Sequence, residues 1–145
     1  MRTILLVDDE QDLLDLFREV LEQMDYRVVE AHDGDEALSL ARETPPELVV
    51  TDWMMPRMDG LELCQRFHMD ARLQDIPIIL HSSAGDPHAP GARFVPKDLP
   101  LEDFERLVRR VLSTTPRRPQ GSRSPRAARI TLLFGLGEPA CSTAP

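Results

Sequence analysis

The strongest constraint on this chain's fold is a rhythm. Short runs of consecutive apolar residues recur along residues 1–112, and helix-patterned stretches separate most of them. "TILLV" is the first run; "YRVVEA", "PELVVTD", "IPIILHS" and the weaker "ARFV" follow. Consecutive apolar positions present apolar side chains to both faces of a strand, so such runs belong in a sheet covered on both sides. In "DLLDLFREVLEQM", Leu13, Phe17, Val20, Leu21 and Met24 fall at helical spacing. "DGDEALSLARE" and "MDGLELCQRFHMD" carry Asp33 and Asp59 three residues ahead of Glu36 and Glu62, the capping-box spacing. "PLEDFERLVRRVL" closes the series, with Pro100 suited to a first turn and Arg109 and Arg110 to a last one. Strands that alternate with helices make a parallel sheet with right-handed crossovers. Five repeats in residues 1–112 predict one doubly wound α/β domain.

Composition narrows the class. A chain of 145 residues suits one domain, and 41% apolar with 29% charged residues is globular. No apolar run approaches the ~20 residues of a membrane span. "MRTILLVDDE" turns acidic too soon for a signal peptide. Cys64 and Cys141 give neither a disulfide framework nor a metal cluster. The expectation is a cytoplasmic protein with free thiols and no membrane partner. The net charge of −8 is uneven: residues 1–112 sum to −12 and residues 113–145 to +4. The acidic body repels nucleic acid, and only the tail could attract it, weakly. That tail, 113–145, opens "STTPRRPQGSRSPRAAR", a Pro/Ser/Arg-rich stretch predicted to be disordered. It has no helix-turn-helix pattern, and its arginine-rich stretch lacks the aromatic platforms of single-strand binders.

Ligands of open parallel sheets bind beyond the C-terminal ends of the strands. There the chain writes Asp8 and Asp9 after the first run, Asp52 after the third, Ser82 and Ser83 after the fourth, and Lys97 after the fifth. Lys97 is the only lysine among 17 basic residues. Each residue alone has an ordinary explanation as a helix lead-in, a turn residue or a solvated side chain. Four strand ends that all converge on one edge do not. Neighbouring carboxylates repel, and a cation with oxygen ligands such as Mg²⁺ relieves them. An ionised carboxylate can itself attack phosphorus, and a single ammonium suits a phosphate oxygen.

At these residues the chain resembles the response-regulator receiver domains of two-component signalling, over about residues 2–112. "LVVTDWMMPRMDG" resembles the family's phosphoacceptor strand and following loop; "ILLVDDE", "IPIILHSSA" and "ARFVPK" resemble the acidic-pair, switch and lysine strands. The resemblance implies a flavodoxin-like (CheY-like) five-stranded sheet of order 2-1-3-4-5. It implies that Asp52 accepts a phosphoryl group from a sensor histidine kinase or phosphotransfer protein. Asp9 and Asp52 would hold Mg²⁺ directly, Asp8 through water, and the Met54 backbone carbonyl would complete the protein ligands. Lys97 and Ser82 would bind the phosphoryl group. Ser82 and Phe94 would form the switch, with Met54, Ser83 and Ala84 as modulators of the site. An unidentified downstream protein would read the result. The chemistry implied is phosphoacceptance and self-dephosphorylation, not turnover by an enzyme. No output domain is visible, so the expectation is a stand-alone receiver.

The chain also departs from the family. Only "SAGDPHAPGA" separates the fourth and fifth runs, and Pro87, Pro90 and two glycines oppose a helix there. The family's fourth helix is predicted to be reduced or absent. Asp98 follows Lys97 where the family usually has proline, and Ser83 stands where it mostly has alanine. Two other readings stay open: an unphosphorylated pseudo-receiver that acts as a binding module, and an aspartyl-phosphate phosphohydrolase in which Asp8 attacks with Glu10 two positions on.

Overall fold

The apolar runs become five parallel strands. A computed structural model describes residues 2–114. The strands are β1 (Thr3–Val7), β2 (Arg27–Ala31), β3 (Leu48–Asp52), β4 (Ile78–Ser82) and β5 (Ala92–Pro96). The helices are α1 (Gln11–Gln23), α2 (Gly34–Glu43), α3 (Gly60–Met69) and α4 (Leu101–Ser113). The sheet order is β2-β1-β3-β4-β5, all parallel. This is the doubly wound order predicted. Its winding reverses between β1 and β3, so the ends of those two strands open a crevice.

Consecutive apolar residues serve two cores. Leu5, Val7, Val49 and Ile78 face one cluster with Ala37, Leu63 and Phe67 of α2 and α3. Ile4, Leu6, Leu48, Val50 and Ile79 face the other, with Leu14, Leu21, Phe104 and Val108 of α1 and α4. Burying one such aliphatic or aromatic side chain stabilises by about 2 kcal/mol. On α1 the centre of the stripe is Leu14, Val20 and Leu21, while Leu13 is only half-buried.

Three local expectations are corrected. The capping boxes form on one side only. Asp33 and Asp59 each accept from the amides of Glu36 and Glu62. The glutamates do not return the bond to the cap. Glu36 takes the amide of His32, and Glu62 takes Arg66. Pro100 is the N-cap of α4, not part of its first turn. Its φ of −57° with ψ of 142° keeps it extended, and its carbonyl accepts from Asp103 and Phe104. Finally, α4 runs through Ser113, one residue into the expected tail. From residue 115 that tail lies outside the described residues.

Residues 83–91, between β4 and β5, carry no helix. The fourth helix in chain order, α4, follows β5. Gly85 (φ 99°), His88 (φ 56°) and Gly91 (φ 78°) turn the connection through left-handed positions. Glycine adopts these without the steric cost of a Cβ. An added Cβ on Gly91 would meet the His68 ring at 2.2 Å, so α3 also holds this turn close. β5 is an edge strand and buries only Val95 fully.

Candidate functional site

β1 and β3 are neighbours in register, Val7 beside Thr51. The residues that follow, Asp8 and Asp52, therefore leave the sheet side by side. One carboxylate oxygen from each of Asp8, Asp9 and Asp52 lies within 4.8 Å of the others. Asp8 is 1% exposed and Asp52 4%, while Asp9 is open to solvent. Asp8 Oδ1 accepts from the Glu10 amide at 2.9 Å. Its Oδ2 is buried with no hydrogen-bond partner.

Lys97 arrives from the end of β5. Its backbone amide donates to the Ser82 carbonyl at 3.2 Å, which extends the β4–β5 ladder by one bond. Its Nζ sits 3.3 Å from Asp52 Oδ2 and 3.5 Å from Glu10 Oε1. Burial raises the Asp8 carboxyl to about 6, with the charges of Asp52 and Asp9 adding to it against the Glu10 amide and Lys97. Burial also raises Asp52, and Lys97 partly offsets this. For Lys97 burial pulls down, but Asp52, Asp8 and Glu10 outweigh it, so the ammonium is held charged. The cluster is short of positive charge, and one lysine does not neutralise three acids. A divalent cation fits that deficit and the all-oxygen donor set.

The loop after β3 is fixed tightly. An added Cβ on Gly60 would lie 2.3 Å from the Asp52 carbonyl oxygen, so only glycine allows this approach. The Gly60 amide donates to the Trp53 carbonyl at 2.8 Å. Arg57 holds a left-handed φ of 66° and pairs with Asp33, the cap of α2. The Glu36 amide and then Arg57 keep the Asp33 carboxyl below its ordinary value, although burial opposes them. Met58 packs over Gly34, where a Cβ would come within 2.7 Å of it.

The other residues singled out in the sequence reach the same edge. Ser82 is buried, and its Oγ accepts from the Ala84 amide at 2.9 Å. Phe94 is half-buried and lines a shallow cleft with Ser82, Ser83, Pro96 and Lys97. Ser83 and Ala84 are exposed beside it, and Met54 is 60% exposed on the β3–α3 loop. Trp53, between Asp52 and Met54, is half-buried.

Two neighbours of the site have no role in the receiver reading. Glu10 competes with Asp52 for the lysine. His81 is buried directly beneath Asp8. A signal for it existed, since it is the one polar residue inside the run "IPIILH".

Residues 4–95 match the family described as the response regulator receiver domain. The DNA-binding dual master transcriptional regulator RpaA of Synechocystis sp. is 32% identical over 130 residues, covering 85% of this chain and 54% of that protein. Response regulator GtcR of Aneurinibacillus migulanus is 38% identical over 82 residues, 57% of this chain and 33% of its own length. The chain thus spans about half, or less, of these relatives. Among solved structures, the signal receiver domain of a histidine kinase from Syntrophus aciditrophicus superposes with a TM-score of 0.77 at 27% identity, covering 85% of this chain and 98% of that one. Response regulator TrrA of Thermotoga maritima, solved in complex with Mg²⁺-BeF, gives 0.71 at 28% identity over 77% of this chain and 99% of its own. The match spans the acidic strand ends, the β3–α3 loop and β5 up to Val95, so the chain belongs to the response regulator receiver domain family.

Proposed function

We propose that Asp52 accepts a phosphoryl group from a phosphohistidine on a sensor histidine kinase or phosphotransfer protein, and that the phosphorylated form switches contacts with a downstream protein. The observation that carries this reading is the meeting of three carboxylates within 4.8 Å with Lys97 3.3 Å from Asp52. An Asp52 carboxylate oxygen would form the bond to phosphorus as the bond to the histidine nitrogen breaks, the nitrogen keeping the electron pair. Lys97 and the Trp53 amide favour the ionised form of Asp52 against burial, and a carboxylate attacks without a general base. Asp8, Asp9 and Asp52, with the Met54 carbonyl, would hold Mg²⁺. When bound, the cation would neutralise charge on the transferring group. Lys97 would exchange its bond to Asp52 for a phosphoryl oxygen. Ser82 would leave the Ala84 amide to donate its hydroxyl proton to another such oxygen. Phe94, in the same cleft, would move with it, a two-state bias of a few kcal/mol.

The chain would turn over no external substrate and would only lose its own acyl phosphate to water. Among the described residues no helix is long and apolar enough to cross a membrane, and we place the protein in the cytoplasm with its kinase. The phosphohydrolase reading is disfavoured because Glu10, which would be its second acid, engages Lys97.

The test is intact mass after incubation with Mg²⁺ and a small-molecule phosphodonor. A gain of one phosphoryl group, lost in Asp52→Ala and in the absence of Mg²⁺, is expected. A gain that persists in Asp52→Ala sinks the assignment. Mg²⁺ binding with no gain from any donor or kinase identifies a pseudo-receiver.

A further inference from the structure

His81 is buried at the heart of the site and has no part in the phosphotransfer as proposed. It is the fourth residue of β4, in register with Asp52 and adjacent to Ser82. It is 3% exposed, among neighbours Ile78, Ile79 and Leu80 that are as buried and wholly apolar. Its ring meets Phe17 of α1 edge-on at 5.3 Å, and Phe17 leans on Phe104 of α4 at 4.9 Å. Its Nε2 lies 3.7 Å from Asp8 Oδ2.

A fourth buried aliphatic residue would serve the core at least as well. An imidazole here costs free energy unless its nitrogens find partners. Two buried atoms of this pair of residues have none, Asp8 Oδ2 and His81 Nδ1. Asp8 Oδ1 already has the Glu10 amide. Oδ2 is therefore the atom that lacks a donor, and it is the atom His81 faces. Moving Nε2 by less than about 1 Å brings the pair to ordinary N–H···O length. A neutral ring has one N–H to give. Placing it on Nε2 leaves Nδ1 as a buried bare acceptor, which costs less than an orphaned donor.

We propose that His81 is a positioning residue of the metal site, whose Nε2–H donates to Asp8 Oδ2 and so fixes the orientation of that carboxylate for the cation. This rests on the reading of the three acids as a Mg²⁺ site. It follows the general pattern in which ligating carboxylates are themselves hydrogen-bonded, and in which loss of such a partner weakens metal affinity about 10-fold or more.

The test uses the full chain, Mg²⁺ as the only ligand, and two readouts. Trp53 fluorescence follows Mg²⁺ affinity, and nitrogen-15 NMR of labelled histidine reports the His81 tautomer. The wild type is expected to show the neutral Nε2–H tautomer, with its Nε2 resonance moving as Mg²⁺ is added. His81→Phe, which keeps the aromatic contact with Phe17, is expected to bind Mg²⁺ about 10-fold more weakly. His81→Gln, which retains an N–H donor, is expected to recover part of the loss. In an Asp8→Asn background, His81→Phe is expected to change Mg²⁺ affinity by less than about twofold, because the interaction it removes is already gone. An Nδ1–H tautomer, undiminished Mg²⁺ affinity in folded His81→Phe, or an equal loss in the Asp8→Asn background each overturns the inference. If His81→Phe does not fold, the wild-type tautomer and its response to Mg²⁺ decide. A wild type that ignores Mg²⁺ in both readouts overturns the metal reading and the role of His81 with it. A wild type that binds Mg²⁺ while His81→Phe binds it equally overturns the role of His81 alone.

Discussion

The two halves of the strand-end edge are built to different standards. The loop from Asp52 to Gly60 is held from every side: Gly60 against the Asp52 carbonyl, Arg57 on Asp33, Met58 over Gly34. The connection from Ser83 to Gly91 has no helix, and seven of its nine residues are exposed. Yet both halves deliver a residue to the same site. Asp52 is placed by the packing of its own loop. Lys97 is placed by one ladder bond to Ser82 and by the burial of Val95 two residues earlier. A charged group on a long stem needs only approximate placement, whereas a nucleophile and metal ligand needs a fixed one. The molecule spends its constraints accordingly.

Substitutions can break that contrast at its strong end first. Gly60→Ala puts a Cβ against backbone that cannot rotate away. It is expected to cost about 3 kcal/mol in urea denaturation and to weaken Mg²⁺ binding. A loss below about 1 kcal/mol would show that the loop is less fixed than described.

Next in size is an electrostatic effect at Asp8, the neighbour of Asp52. The folded Asp8 carboxyl is raised to about 6 from 3.8, so the native state binds a proton that the unfolded chain has already released. Native stability then falls as pH rises from about 4 through about 6, and the full penalty, on the order of 2–3 kcal/mol, is present at pH 7. Without divalent cations, Asp8→Asn is expected to be the more stable protein at pH 7, the gap closing toward pH 4. A gap independent of pH in thermal denaturation would refute the electrostatic origin.

Asp33→Ala removes both the α2 cap and the partner of Arg57. A loss of about 1–2 kcal/mol is expected, with Arg57→Ala in the Asp33→Ala background adding little. The weak half is sharpened by Gly85→Ala. A Cβ there meets nothing within 4 Å, and only its φ of 99° resists. About 1 kcal/mol is expected, with Mg²⁺ affinity unchanged. A larger loss, or a weakened metal site, would mean that the β4–β5 connection is as constrained as the other.

Much of this was legible in the residues. The strand runs, their order along the chain and the acids at their ends needed only periodicity and the rule that parallel strands end on one edge. The missing helix between β4 and β5 was readable because Pro87, Pro90 and the glycines forbid it locally. What was not legible depended on contacts between distant segments. Glu36 caps the wrong amide because His32 of the preceding loop competes for it. Glu10 reaches Lys97 only because β5 returns beside β4. His81 looked like any isolated histidine until β4 was set in register with β3 and the unpartnered oxygen of Asp8 came to lie above it.

The helix-free connection has a kinetic consequence. Ile78 pairs with Ala92, fourteen positions on, whereas Thr3 pairs with Arg27, Val49 with Ile78 and Ile4 with Leu48 across much longer spans. Closing a loop of half the length saves about 0.6 kcal/mol of chain entropy. The β4–β5 pair is thus the cheapest strand pairing in the sheet to nucleate, and the β1–β3 pairing that brings Asp8 beside Asp52 is the most expensive. The lysine strand would dock on its neighbour early during folding, and the acid pair would be assembled late, as the sheet closes at its centre.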